Sequence, residues 1–453
     1  MNLHRMLGQR AEQGRPVGVG LIGAGKFGTM FLSQARLTTG MHIVGIADLD
    51  VSRARAACAL AGWPADQFAA ASLDSAAGSA ATYIGDDAAA LIAHPAVEVV
   101  IDATGNPHAG IAHCLSAIDN GKHVVMVNVE ADVVAGPLLA RKAAAAGVVY
   151  SLAWGDQPAL ICEHVDWARA CGFKVVCAGK GTRYLPSYHA LTPDTVWEVL
   201  KQYLKVDETS DINPKMFNSF LDGTKSGIEM TAVCNATGLM PQDEGLAFPP
   251  ATRFELADTC KPAASGGCLT RDGTTEVVSS LYRDGRDVPH HLAMGTYVVI
   301  EGETDYARDC CNQYHMLPDE SRRFAALYRP THMIGLELGI SVASAACRGE
   351  PTGAPTCFTS DVVAIAKRDL EAGEVLDGEG GFMVWGKQMP AAASLAADGL
   401  PLGLATGIRL TRDVALGDKL TWSDVEIDKT DQAVRLRREM EAAFAQSNRS
   451  PAA

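Results

Sequence analysis

Val17-Gly18-Val19-Gly20-Leu21-Ile22-Gly23-Ala24-Gly25-Lys26-Phe27-Gly28 decides how the first third of this chain folds. The first six residues are apolar or glycine and read as a buried parallel strand. They run straight into a Gly-x-Gly-x-x-Gly turn, and Thr29 to Leu37 then reads as an amphipathic helix. Each glycine has its own task. Gly23 permits a tight turn, Gly25 lets main chain approach a pyrophosphate, and Gly28 lets the helix pack on the strand. Lys26 and Phe27 complete the loop, and the helix start turns unpaired N–H groups and its dipole toward phosphates. A second strand, His42 to Ala47, ends in Asp48, about twenty residues past Gly28, where a carboxylate can bond a ribose diol. The competing reading is an ordinary βα turn with a solvent-facing Asp48. Asp48 favours NAD, whereas Arg53 and Arg55 just behind it suit a 2′-phosphate, so NAD and NADP both stay open.

The pattern repeats downstream. Val97 to Ile101 reads as a strand ending in the polar tip Asp102-Ala103-Thr104-Gly105-Asn106-Pro107, and Gly121 to Glu130 as another such strand. A helix over 136–146 follows, then a strand at 148–151. Alternation of this kind means a parallel sheet with right-handed crossovers, and ligands bind at its carboxyl edge. Thr104, Gly105, Asn128 and Glu130 fall at that edge and join the candidate cofactor residues. His113 and His123 lie inside these elements and read as packing residues.

A chain of 453 residues exceeds one hydrophobic core, and 47% apolar with 20% charged residues is ordinary for a globular protein. The net charge of −14 argues against nucleic acid, which needs a basic face. No stretch of about 18 apolar residues is present, so no membrane partner is expected. The N-terminus is charged throughout and does not read as a signal peptide, and twelve scattered cysteines without a Cys-x-x-Cys pair suit a reducing cytoplasm.

From Asp156 the alternation lapses. Strands are expected at 174–179, 252–256, 275–281 and 296–302, which together read as an antiparallel substrate domain. Two segments carry chemistry. In 179–186, Lys180, Arg183 and Tyr184 follow a strand between glycines. In 222–230, Asp222, Lys225, Ser226 and Glu229 share one face of a helix running to about Thr237. A solvated surface is one reading of that stripe. Its apolar neighbours Ile228, Met230, Ala232 and Val233 favour a stripe turned into a cleft.

The stretches GLIGAGKFGTMF (20–31), DATGNP (102–107) and VNVEAD (127–132) resemble the homoserine dehydrogenase superfamily. Lys180 stands where those enzymes have asparagine, and Val129 where they have lysine. A closer resemblance is to homoserine dehydrogenase-like proteins with a C-terminal SAF domain, which include the deoxyxylulose-phosphate reductoisomerase-like (DRL) enzymes. Carrying it are AWGDQPALI (153–161), KGTRYLPSYH (180–189), PDTVW (193–197) and YRPTHMIGLELGISVA (328–343). The resemblance implies NAD(P)H-dependent reduction, with or without isomerisation, of a small polyhydroxy or phosphosugar carbonyl. An example is 1-deoxy-D-xylulose 5-phosphate going to 2-C-methyl-D-erythritol 4-phosphate. Lys180, Lys225, Asp222 and Glu229 would then be catalytic, with a lysine polarising or protonating the carbonyl oxygen. Asp156, Arg183, Tyr184 and His189 would hold substrate, although loop packing is the other reading of Tyr184 and His189. The resemblance also leaves room for a divalent metal, Mg or Mn, with Asp156 and Glu229 as its carboxylates. Alternatives are oxidation of an amino or hydroxy acid in the homoserine style, and a nucleotide sensor without catalysis.

Tyr328 to Ala346 reads as a returning apolar helix, and 351–355 as a linker. Beyond it, 361–376 and 407–420 form a pseudo-repeat resembling a SAF domain, either an interface or a cover over the substrate cleft. The expected fold is α/β: a doubly wound Rossmann domain (1–155, with return helix 328–348), a mixed α+β substrate domain (156–327) and a small β-rich SAF domain (356–428). A C-terminal helix and tail (429–453) complete the chain. A homodimer or homotetramer is expected.

Overall fold

Strands that are apolar on both faces need cover on both sides, and the first domain supplies it with crossover helices. The computed structural model of the chain describes residues 2–203 and 213–447. It divides into two units. The first is the chain up to Leu160 with His332–Thr356 and Arg435–Ala442; the second holds the described residues of Ile161–Thr331 together with Cys357–Val434.

The first unit contains β1 (Val17–Ile22), β2 (Met41–Ala47), β3 (Tyr83–Gly85), β4 (Val99–Asp102), β5 (His123–Met126) and β6 (Tyr150–Leu152). They lie in the order β3-β2-β1-β4-β5-β6, every neighbour pair parallel. This is the doubly wound order, and the crevice where it reverses lies between β1 and β4. Val19, Leu21, Val99 and Ile101 pack there with Phe31 and Leu32 of the Lys26–Ala35 helix. Two expectations need correction. The strand read through Glu130 stops at Met126, because Asn128 caps a helix spanning Val129–Ala145. The returning helix read from Tyr328 begins only at Gly339, since Phe324–Arg329 is a strand. Its Val342 and Ala343 still reach the first unit's core.

In the second unit, β7 (Lys174–Thr182), β8 (Thr274–Ser279), β9 (Thr296–Glu301), β10 (Leu317–Pro318) and β11 (Phe324–Arg329) form a sheet ordered β10-β11-β9-β7-β8. It is mixed rather than antiparallel throughout: β7 runs parallel to β8 and antiparallel to β9. The strand expected at 252–256 is instead a turn leading into a short helix, Leu256–Thr259. One sheet face packs on Met230, Val233 and Cys234 of the Thr224–Thr237 helix, the other on Leu256, Cys260 and Leu269.

The C-terminal strands are β12 (Ser360–Ala366), β13 (Val375–Asp377), β14 (Val384–Pro390), β15 (Thr406–Leu410) and β16 (Val425–Glu426). β12 pairs antiparallel with β14, and β13-β15-β16 form a second antiparallel sheet. This segment shares a unit with the middle sheet. Asn235 of the Thr224–Thr237 helix accepts from the N–H groups of Thr359 (2.9 Å) and Ser360 (3.1 Å).

Candidate active site

Gly23 sits at φ 92°, and a Cβ there would come within 2.8 Å of the Ala103 carbonyl oxygen. A Cβ on Gly28 would fall 2.4 Å from the Gly23 carbonyl oxygen, so helix and strand touch through this residue. Around Gly25 no protein atom lies within 4 Å of such a Cβ. Gly25 is also the N-cap of the Lys26–Ala35 helix, and no side chain caps it. Open space beside uncapped N–H groups fits a pyrophosphate, so the loop suits a dinucleotide. Lys26 is exposed and Phe27 half-buried beside it.

Asp48 is placed differently from a simple ribose ligand. It is buried; Oδ2 accepts from the Ala24 N–H (2.7 Å), and Oδ1 from the Asp50 N–H (2.9 Å) and Arg53 Nη2 (2.6 Å). Its carboxylate braces the glycine loop, and the charge facing outward is the 58% exposed Arg53 side chain.

Asp102 organises the β4 tip. Its Oδ1 accepts from the Thr104 hydroxyl (2.8 Å) and Asn128 Nδ2 (3.1 Å), and its Oδ2 pairs with His113 Nδ1 (2.7 Å). Asn128 also donates to the Asn106 carbonyl (2.8 Å) and caps Ala131 N–H. Thr104, Gly105 (φ 64°) and Asn128 are therefore held in one hydrogen-bonded loop, with Glu130 buried on the next turn. Asp102 and His113 are the partners that sequence reasoning missed. A histidine eleven residues after an aspartate, in the following helix, was the available signal.

Within the second unit the structure brings Lys180 and Glu229 together. Lys180 lies on β7 and Glu229 on the Thr224–Thr237 helix; their side chains are 4% and 2% exposed, and Lys180 Nζ donates to Glu229 Oε2. One turn earlier, the buried Ser226 hydroxyl has no hydrogen-bond partner. Lys225 is half-buried. Asp222 takes another path: Lys367, 145 residues later in the chain, donates to its Oδ2 at 2.7 Å, and Oδ1 accepts from Thr224 N–H at 2.9 Å. Both of its oxygens are occupied within the fold.

The predicted substrate cluster divides. Arg183 pairs with Asp287 (2.8 Å). Tyr184 is buried, stacked on Phe248 with centroids 3.9 Å apart, and burial pushes its phenol up to about 12. Its hydroxyl meets His189 Nε2 at 2.8 Å, and His189 stacks on Trp385 at 3.8 Å. Packing thus accounts for both rings. Asp156, in the first unit, is buried and accepts from the Gln157 N–H (2.9 Å) at the start of the Gln157–Ala170 helix.

The metal expectation does not fit. Among the described residues, no three His, Cys, Asp or Glu side chains come together as a metal site. Glu229 already neutralises Lys180, and Asp156 serves a helix start. Nor is any described helix long and apolar enough to cross a membrane.

Three family models match the chain: an oxidoreductase family with an NAD-binding Rossmann fold (17–127), the oxidoreductase DRL catalytic domain (155–338) and the SAF domain (361–426). With the glycine loop, the first of these matches fits a dinucleotide-binding Rossmann domain. The DRL catalytic-domain match contains Lys180 and Glu229. No curated protein matches the chain. Among solved structures, myo-inositol dehydrogenase from Lactobacillus casei with NAD(H) is 16% identical over 40% of this chain and 50% of its own, with a TM-score of 0.28. The chain thus spans half the length of that relative. Dihydrodipicolinate reductase from Paenisporosarcina sp. TG-14 is 13% identical (74% of this chain, 97% of its own, TM-score 0.35). The 1-deoxy-D-xylulose 5-phosphate reductoisomerase from Zymomonas mobilis with NADPH is 18% identical (49% and 58%, TM-score 0.34). At these scores the assignment rests on the family models.

Proposed function

We propose that this protein reduces the carbonyl of a small polyhydroxy or phosphosugar substrate, with 1-deoxy-D-xylulose 5-phosphate as the first candidate. The observation that carries the reading is the buried pair of Lys180 on β7 and Glu229 on the Thr224–Thr237 helix, within the segment that matches the DRL catalytic domain. Glu229 pairs with the Lys180 ammonium and fixes its place, from which it would donate to a carbonyl oxygen as negative charge develops there. The unpartnered Ser226 hydroxyl is a further group for a substrate oxygen. When bound, the nicotinamide supplies the hydride. The glycine loop and the Asp102–Asn128 network hold the dinucleotide, and Lys180 returns to its charged form by taking a proton from solvent.

Purified Lys180→Met and Glu229→Gln variants should bind NADPH as the parent does and lose at least a hundredfold in kcat, in the range of general acid–base catalysis. Near-parental turnover of Lys180→Met would overturn the assignment. The same assay, run with homoserine and NAD(P)+, separates the homoserine-style oxidation. Nucleotide binding without any turnover would identify a sensor. We further propose a cytoplasmic homodimer or homotetramer, for which sedimentation equilibrium supplies the test.

A further inference from the structure

We propose that the SAF segment is a working part of the catalytic unit, and that Lys367 is the positioning residue through which it acts on Lys225, Ser226 and Glu229. This rests on the reading of the Lys180–Glu229 pair given above.

Lys367 follows β12. An ammonium has three N–H donors, and all three are used: Asp222 Oδ2 (2.7 Å), the Leu191 carbonyl (2.7 Å) and the Gly381 carbonyl (2.9 Å). The two charged side chains are 2% and 0% exposed. Asp222 spends its second oxygen on the N–H of Thr224, the first residue of the helix that bears Glu229.

Two more SAF residues reach the same turn. Gly386 N–H donates to the Thr224 hydroxyl at 2.9 Å, and the Trp385 ring stacks on His189 at an interplanar angle of 22°. The Asp222 carbonyl can only accept, so His189 Nδ1 carries the proton of that 2.7 Å bond. Burial lowers the His189 pKa and favours the neutral ring, whose Nε2 accepts from the Tyr184 hydroxyl at 2.8 Å. One turn of helix is held by a charge, a hydroxyl and an aromatic stack, all completed by the C-terminal segment.

Stability alone does not call for such a pair. Replacing a buried ion pair by apolar side chains is often neutral or stabilising, whereas removing one partner is costly. What three fixed acceptors around one ammonium supply is position. The helix start is set relative to β7, and Glu229 meets Lys180 as a consequence.

The test compares Lys367→Met with the double variant Lys367→Met/Asp222→Asn. The single variant should have a lowered thermal midpoint, because it strands a buried carboxylate. The double variant removes both charges and should regain the midpoint. With NADPH and 1-deoxy-D-xylulose 5-phosphate, kcat of the double variant should remain at least tenfold down while the KM for NADPH is unchanged. Amide exchange at 224–229 should be at least tenfold faster, with β1 and β4 amides unaltered. A double variant with parental kcat and parental exchange at 224–229 would overturn the proposal. If the double variant does not fold, Lys367→Arg, which keeps the charge but not the three-acceptor geometry, should show the same kcat loss; parental kcat there would overturn it. If the parent turns over no substrate, the functional reading has failed instead, and the exchange measurement alone decides the role of Lys367.

Discussion

Arg53 neutralises the buried Asp48 carboxylate, which would repel a 2′-phosphate, and its side chain is 58% exposed. We expect a preference for NADPH, since arginine suits bidentate phosphate binding. Arg53→Ala should lower the NADPH:NADH ratio of kcat/KM by at least tenfold, while Asp48 keeps its two backbone donors and the glycine loop its shape. An unchanged ratio would show that Arg53 does not meet the nucleotide. At this scale the sequence was informative wherever geometry forces a residue type. Gly23 and Gly28 could be read because main chain crowds them. Asp222 was expected among the catalytic residues; its ion pair could not be foreseen, because Lys367 lies 145 residues away and no local spacing points to it.

Among the elements, the Val129–Ala145 helix carries a polar group at an unusual depth. Asp132 is fully buried; Tyr150 donates to its Oδ1 at 2.7 Å, and Oδ2 has no partner. Burial raises its carboxyl to about 7. An unfolded aspartate titrates near 4, so the folded state holds the proton more tightly. The corresponding stability is complete below about pH 4 and is lost as the pH rises through about 7, on the order of 3–4 kcal/mol by pH 8. Asp132→Asn should therefore raise the thermal midpoint by several degrees at pH 8 and leave it nearly unchanged at pH 4. Equal shifts at both pH values would contradict this account. The start of this helix was hidden in the sequence because Val124 to Val127 continues as an apolar run into Val129, and periodicity alone does not separate a buried strand from a buried helix. The same ambiguity merged β11 with the Gly339–Arg348 helix into one apparent returning helix.

Across the whole molecule, the Rossmann order was legible because its strands repeat one pattern, whereas the mixed second sheet was not. The parallel pairing of β7 with β8 joins residues almost a hundred positions apart, and local sequence carries no mark of it. Inclusion of the SAF strands in the same unit has a direct consequence. A chain ending at Thr356 would leave Asp222 buried without its cation, and Asn235 without the Thr359 and Ser360 partners. Such a loss costs roughly 3–5 kcal/mol for the charge alone. We expect residues 1–356 to be insoluble or to lack cooperative unfolding by circular dichroism. A soluble, cooperatively unfolding product with parental turnover would rule this out.

The distance along the chain between Asp222 and Lys367 also sets an order of events at the ribosome. At roughly 5–20 residues per second, the lysine emerges about 7–30 s after the aspartate it must meet. During that interval the Rossmann strands up to β6 are already complete, while the Thr224–Thr237 helix waits with its first turn unfastened. Nascent chains stalled within this window should be the form most exposed to chaperones and proteases, so this unit is completed only near the end of translation.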